Sequence, residues 1–330
     1  MSNQITSPKI LMEMITEFRV SRIILTGFEL GIFTVLGSSG KTSGEVAEKL
    51  SLAPRSADRL MNALVAVGLL TKSDHVFSNN TFSSKFLVKG SPAYMGGISH
   101  MVNTWRTWNT LTEAVKAGTT VAIDPNMADR GDAWLEPFIA AMHQRAVPQA
   151  VEVANVLDFS SVKKILDIGG GSGAFCFEFI KRCKDASAVV FDLPTVVPIT
   201  RKYIDQAGFD SSVKTVAGDY MADQFGKGFD LVYISAVIHI NSPDENLDIL
   251  KKSAASLNPG GQVVIMDHVM NEDRTEPYEG AIFAINMLAG TKHGDVYTES
   301  EIKSWMNDAG LKNIKRVDTV SGTSLMIGYK

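Results

Sequence analysis

Lys164-Ile165-Leu166-Asp167-Ile168-Gly169-Gly170-Gly171-Ser172-Gly173 sets a short apolar run directly against a cluster of glycines, and Ala174 to Arg182 continues with apolar residues at helical spacing. The order is strand, glycine loop, helix. Glycine permits the tight turn and lets backbone amides approach a ligand where any Cβ would collide. A second apolar run, Ser187 to Phe191, ends at Asp192, about twenty residues past the loop, where a carboxylate can accept both hydroxyl hydrogens of a ribose. From about Val151 onward strands alternate with helices, Val213 to Val216 and Phe229 to Ser235 being the third and fourth strands. That alternation predicts a parallel sheet covered on both faces.

A glycine fingerprint of this kind also matches a nicotinamide dinucleotide site. Asp167 separates the two readings. Two residues ahead of the first glycine, a carboxylate repels a pyrophosphate and attracts the ammonium of an amino-acid moiety, directly or through water. S-adenosylmethionine carries that ammonium together with a sulfonium cation. The other reading of Asp167 is a carboxylate that caps the helix or braces the loop. Gly218-Asp219-Tyr220-Met221 follows the third strand: Asp219 can accept the adenine amino group and Tyr220 or Met221 can pack on the ring, or else Asp219 caps its loop and Met221 is ordinary packing. His239 follows the fourth strand, at the edge where open parallel sheets bind ligands. A phenol has a pKa of about 10, so at neutral pH its proton must leave as the oxygen attacks, and histidine suits that task.

The chain has 330 residues, a length that suits two domains with a sizeable core in each. Its formal charge of −4 offers no global attraction to nucleic acid or to an anionic membrane, so neither is an expected partner. No stretch approaches the roughly 20 apolar residues that span a bilayer. Glu13, Glu17 and Arg19 break up the apolar residues near the N-terminus, which does not read as a secretory leader, and a cytoplasmic protein is expected. Cys176 and Cys183 fall on one expected helix, too far apart for a disulfide, and read as buried thiols.

Pro8 to about Leu36 repeats apolar residues at helical spacing, with Gly27 and Gly31 as breaks or close-packing points. This surface can cover its own core or a second subunit, and intersubunit packing is the expectation. Thr42 or Ser43 caps a helix at Glu45 to Leu50, Ala53 to Leu69 forms its partner with Leu60, Leu64 and Leu69 on one stripe, and Val76-Phe77 with a Ser78-Asn79-Asn80 turn reads as a small hairpin. Together they make a winged helix. Its second helix carries Asp58, which would sit against phosphates, and residues 40–90 lack dense Lys and Arg clustering, so DNA binding is not expected. Residues 92–150 read as helical and rich in aromatics and methionine, mostly core, with a minority suited to a pocket for a flat organic molecule.

In order, the winged helix, LDIGGGSG at 166–173, VVFDLP at 189–194, GDYM at 218–221, SAVIHINSPDEN at 235–246 and LNPGGQVVIMD at 257–267 resemble the O-methyltransferases that include plant caffeate and hydroxyindole enzymes and bacterial natural-product tailoring enzymes. The likeness covers nearly the whole chain. It implies an α/β class I methyltransferase, with a Rossmann-like seven-stranded sheet that ends in an antiparallel hairpin. It also implies an N-terminal all-helical winged-helix dimerisation domain, a homodimer, and methyl transfer without a metal. The boundaries expected are 1–100 for the dimerisation domain, 101–150 for a helical connector that contributes to the substrate pocket, and 151–330 for the catalytic domain. By position, the resemblance gives S-adenosylmethionine the contacts Asp167, Gly169, Gly171, Asp192, Leu193, Gly218, Asp219, Tyr220, Met221 and Ser235. It makes His239 the general base and Asp267 the acid that orients it. Met101, Trp105, Phe138, Met142, Phe283, Asn286 and Met287 are the implied substrate residues, the last three on an apolar helix that can close the site.

Three positions depart from the family pattern. His239-Ile240-Asn241 stands where His-Asp-Trp is usual, Asp267 replaces the longer Glu, and Val296 takes the place of a second acidic partner. His239 is left with one carboxylate partner, or none if Asp267 does not reach it. The activity expected is transfer of a methyl group to a hydroxyl of a small aromatic or polyketide-like metabolite. C-methylation or a non-methylating reaction on the same cofactor is the alternative, and a cofactor-sensing DNA-binding regulator the more distant one.

Overall fold

A computed structural model of the chain describes residues 5–122, 132–183 and 185–330. The chain divides into two compact units, Met1–Asn103 and Thr104–Lys330. Residues 123–131 of the connector expected at 101–150 lie outside the described residues.

The first unit runs α1 (Pro8–Thr16), α2 (Phe18–Glu29), α3 (Ile32–Leu36), β1 (Lys41–Thr42), α4 (Ser43–Lys49), α5 (Pro54–Ala66), β2 (Leu70–Ser73), β3 (Val76–Asn79) and α6 (Thr81–Phe86). The unit boundary falls within α7 (Ile98–Trp108). Gly31, at φ 76°, is the break between α2 and α3, while Gly27 is a close-packing point: a Cβ there would lie 2.8 Å from Leu64 Cδ1. Thr42, not Ser43, caps α4, its side chain accepting from Glu45 N while Glu45 reaches back to the Thr42 N–H. In α5 the buried stripe is Ala57, Met61 and Leu64, and Leu60 is only partly buried, because the core meets the helix one residue further round than the leucine spacing predicts. Asp58 on that helix accepts hydrogen bonds from Ser43, Arg59 and Asn62.

The hairpin is present, but its turn is not at Ser78-Asn79-Asn80. Ser73 pairs with Val76, so Asp74 and His75 make the turn, with Asp74 in the left-handed region at φ 53°. Ser78 and Asn79 belong to β3, and Asn80 instead caps α6 by accepting from Ser83 N. β1 pairs with the free edge of β3, completing a three-stranded antiparallel sheet in the order β1-β3-β2. Helix α1 buries none of its residues, and Met12, Met14, Ile15 and the following Phe18 are each at least half exposed.

The second unit continues with α8 (Leu111–Ala117), α9 (Asp132–Val156), β4 (Lys164–Ile168), α10 (Ala174–Arg182), β5 (Ser187–Asp192), α11 (Val197–Ala207), β6 (Val213–Ala217), β7 (Phe229–Ser235), a 3-10 turn (Ile238–Ile240), α12 (Pro243–Ser256), β8 (Leu257–Asp267), α13 (Tyr278–Gly290), α14 (Glu299–Asp308), β9 (Lys312–Asp318) and β10 (Ser324–Tyr329). Seven strands form one mixed sheet in the order β6-β5-β4-β7-β8-β10-β9. All neighbours are parallel except those of β10, which runs antiparallel to β8 and β9. The chain winds outward from β4 on one side through β5 and β6, then returns to start β7 on the other side. The carboxyl ends of β4 and β7 therefore flank the point where the winding reverses, where such sheets leave a crevice.

Alternation along the strands feeds two cores. In β7, Leu231 and Tyr233 face one layer with Phe175 and Phe179, while Val232 and Ile234 face the other with Ile249 and Ile265. Cys176 is buried and Cys183, just past α10, is half-buried; both are free. No helix among the described residues is long and apolar enough to cross a membrane. Phe179, fully buried, meets Phe159 at 5.2 Å, Phe175 at 6.1 Å and Tyr233 edge-on at 5.1 Å. Phe179→Ala should therefore cost about 3–5 kcal/mol, read as a lower midpoint in urea unfolding of the second unit.

Candidate active site

The glycine loop is held in place by backbone and carboxylate. Gly169, Gly171 and Gly173 take φ of 65°, 55° and 77°, a conformation that residues with a Cβ adopt at a cost. Gly169 N donates to Phe191 O (2.8 Å), and Gly171 N donates to Asp192 Oδ2 (2.8 Å), whose other oxygen accepts from Leu193 N (2.8 Å). Thr200 Oγ1 on α11 donates to Gly171 O. Burial pushes Asp192 up to about 6, against the two N–H groups that hold it down. Each Asp192 oxygen retains lone pairs beyond these bonds, as a ribose diol requires.

Asp167 is not where the charge reading places it. It is 1% exposed and lies beneath the loop, so that a Cβ on Gly170 would collide with its carboxyl group. Its hydrogen-bond partner is the Cys176 thiol, whose Sγ donates at 3.4 Å. Burial raises Asp167 to about 7, with the Asp192 charge adding to the rise and the thiol opposing it. A carboxyl so placed is no fixed negative charge at neutral pH, and it braces the loop from below instead of meeting an ammonium on its open face.

The third strand leads to Gly218, whose Cα lies so close to the Phe191 ring that a side chain would clash. Asp219 is exposed and Oδ1 accepts from Met221 N (2.8 Å), the loop-capping geometry, leaving its second oxygen free of a bond from the loop. Tyr220 and Met221 pack partly buried against the core. The buried Lys252 of α12 fixes this loop by donating to the Tyr220 and Met221 carbonyls.

Beyond β7 the backbone is bent sharply. Ser235 ends the strand half-buried, and Ala236 takes φ 56°, uncommon for a residue with a side chain. His239 then sits in the 3-10 turn, 8% exposed, and its Nδ1 lies 2.9 Å from both oxygens of Asp267 at the end of β8. The shorter acid does reach. Asp267 Oδ1 also accepts from His268 N (2.8 Å). A carboxylate only accepts, so the imidazole proton belongs on Nδ1 and the lone pair on Nε2. Phe283 of α13 meets the His239 ring edge-on at 4.8 Å. Asn241 is buried, donating to Val237 O (3.2 Å) and accepting from Tyr220 OH (3.3 Å), while Tyr297 OH donates to its carbonyl. It ties the turn to the cofactor loop instead of standing beside the base. Val296 is buried and apolar, so among the described residues Asp267 alone pairs with His239.

The expected substrate residues differ in their surroundings. Asn286 Oδ1 accepts from Trp108 Nε1 (2.7 Å), Met287 is buried in α13, and Phe138 stacks on Trp134 at 4.8 Å, packed against the cluster of Leu135, Ile139, Val196 and Ile199. Trp105 and Met142 are half-buried, and Met101, 45% exposed, belongs to the first unit. Several participants carry no local sequence signal. His143 of α9 bonds Ser172 Oγ in the glycine loop through Nδ1 (2.9 Å) and packs on Tyr203 at 4.4 Å. Gly294 lies against the His239 carbonyl so closely that no side chain fits. Gly294 and His239 lie on loops remote in sequence, so no short-range spacing links them.

The buried carboxyl under the loop has a signature in stability. Held above its free value, it favours folding only while protonated, so its contribution is whole below about pH 4 and lost as the pH rises through about 7. Asp167→Asn cannot ionise. Its urea midpoint should therefore gain on the parent chain as the pH is raised, with the largest difference near pH 8; a difference independent of pH would contradict the assignment.

Comparison with known proteins fits this geometry. An O-methyltransferase domain model matches residues 126–312, and an O-methyltransferase dimerisation domain model matches residues 12–89. The 3-hydroxy-5-methyl-1-naphthoate 3-O-methyltransferase of Streptomyces sahachiroi is 32% identical over 94% of this chain and 91% of its own length. An O-methyltransferase family protein from Burkholderia thailandensis superposes with a TM-score of 0.86 at 26% identity, covering 99% of both chains. Human N-acetylserotonin methyltransferase, solved in complex with SAM, shares the fold at 21% identity with a TM-score of 0.83, over 100% of this chain and 99% of its own. With its sheet order, its glycine loop and both domain matches in agreement, the chain belongs to the O-methyltransferase family.

Proposed function

We propose that the chain transfers the methyl group of S-adenosylmethionine to a hydroxyl of a small aromatic or polyketide-like acceptor, with His239 as general base and Asp267 as the group that orients it. The observation that carries this reading is the paired 2.9 Å contact of His239 Nδ1 with both Asp267 oxygens, at the carboxyl edge of the sheet. S-adenosylmethionine supplies an electrophilic methyl group on a sulfonium. The residues present fit it: three left-handed glycines open the loop, Asp192 retains lone pairs for a ribose, and Asp219 an oxygen for an adenine amino group.

The protein's own work is binding, orientation and proton removal. Asp267 fixes the tautomer, so Nε2 presents its lone pair and takes the acceptor's hydroxyl proton as the oxygen attacks. The imidazolium that forms lies against the carboxylate, which stabilises it. Near burial of both groups keeps that interaction strong and holds water away from the reacting oxygen. Trp105, Phe138, Met142, Phe283, Asn286 and Met287 line the acceptor pocket in this reading, and the naphthoate substrate in the relative's name agrees with a flat aromatic guest. The dimerisation-domain match and the exposed apolar face of α1 support a homodimer through the first unit.

His239→Gln should lower kcat by about 10²–10⁴-fold while calorimetric binding of S-adenosylmethionine persists; undiminished turnover would remove the base assignment. Ile15→Asp in α1 should halve the mass measured by light scattering, from twice the 35.8 kDa chain mass to that of one chain, if this face joins two copies.

A further inference from the structure

A lysine side chain seldom leaves water unless other groups hold its charge. Lys252 of α12 is 9% exposed, with its Nζ 5.5 Å from the centre of the Phe225 ring. An ammonium has three N–H donors, and here three oxygens surround it. One turn earlier on the same helix, Asp248 Oδ2 lies at 2.9 Å. The other two are carbonyls of consecutive residues, Tyr220 O and, at 3.0 Å, Met221 O. Asp248 is more than half exposed and would pair with a lysine at the surface without any burial of the cation. The inward position of the ammonium serves the loop after β6.

Through that loop the lysine acts on Asp219. A trans peptide is planar, and its C=O and N–H point in opposite directions. In the unit that joins Tyr220 to Met221, the C=O accepts from Lys252, while the N–H donates to Asp219 Oδ1 at 2.8 Å. One rigid plate therefore carries the cation on one edge and the acid on the other. The Asp219 backbone is tied separately, its N–H donating to Asp223 Oδ2 and its carbonyl accepting from Ala222 N and Asp223 N. Among the described residues only the Met221 N–H holds the exposed Asp219 carboxylate, so the direction of its second oxygen follows the tilt of the plate.

We propose that Lys252 is a positioning residue for recognition of the cofactor's base. By fixing the Tyr220–Met221 peptide it aims the unused oxygen of Asp219 at the exocyclic amino group of adenine, and so sets the preference for an adenosyl over a 6-oxopurine cofactor. This rests on Asp219 as the adenine acceptor and is independent of His239 and of the methyl acceptor. An amino group donates to a carboxylate, whereas a 6-oxo group in the same place turns a lone pair toward a negative charge. Discrimination thus depends on where the carboxylate points. Without the lysine the two carbonyls lose their shared donor, the peptide is free to turn, and Asp219 loses its fixed direction.

Calorimetry on the full chain with S-adenosylhomocysteine and S-inosylhomocysteine tests it. The parent chain should bind the adenosyl compound at least about tenfold more tightly, and Asp219→Ala should bring the two affinities within about threefold. Lys252→Met, which keeps the apolar packing, should reduce the preference at least about threefold. Lys252→Arg, which retains donors for both carbonyls, should keep most of it. Should Lys252→Met not fold, Lys252→Gln, whose amide still donates but carries no charge, allows the same comparison. A lysine that only stabilised the fold would, when replaced, weaken both compounds alike. An unchanged ratio in the Lys252 variant, with the preference lost in Asp219→Ala, would overturn the role of Lys252 alone. No preference in the parent, or a preference retained in Asp219→Ala, would overturn the adenine reading of Asp219 and the inference with it.

Discussion

The turn from β4 into α10 is the constraint on which the catalytic unit depends. Three left-handed glycines let the backbone reverse within five residues, and each carries a contact that a side chain would obstruct or strain. Asp192 ties the turn to the end of β5, Thr200 ties it to α11, and His143 reaches it from α9. Three elements far apart in sequence are thus anchored to one loop. Underneath lies Asp167, which burial pushes up to about 7, so the loop stands on a group that gives up or keeps its proton near neutrality.

The His239–Asp267 pair is positioned by a different device. β7 and β8 are parallel neighbours, and their carboxyl ends lie side by side. A left-handed Ala236 bends the chain after β7 and a 3-10 turn brings His239 back toward the end of β8, where Asp267 awaits it. Strained backbone at that position is what converts two neighbouring strand ends into a hydrogen-bonded pair. Asn241, bonded by the Tyr220 and Tyr297 hydroxyls, fixes the end of the turn.

Much of the site was legible because its signals are local. A glycine loop after an apolar strand, an acid at the next strand's end and a histidine after the fourth strand each lie within a short stretch, and the motifs place them in order along one sheet edge. The roles that failed or were missed depend on partners elsewhere. Asp167 was read first as a partner for an ammonium and only second as a brace for the loop, since nothing nearby in sequence says that Gly170 covers it and that Cys176, a helical turn beyond the loop, becomes its partner. The hairpin turn was set about four residues late because Ser78-Asn79-Asn80 has turn composition, whereas pairing with β2 holds Ser78 and Asn79 in a strand.

By itself the sequence determined the alternation of strands and helices and the class of cofactor loop, which follow from periodicity and short-range spacing, and the family, which follows from the ordered motifs. Tertiary structure alone decided that Asp267 reaches His239 despite its shorter side chain, that Asp167 is buried, and that Arg145, His268 and Phe283 meet beside the base. The physical reason is that burial and hydrogen-bond geometry are properties of segments brought together by folding, and these residues come from α9, β8 and α13, more than a hundred positions apart at the extremes.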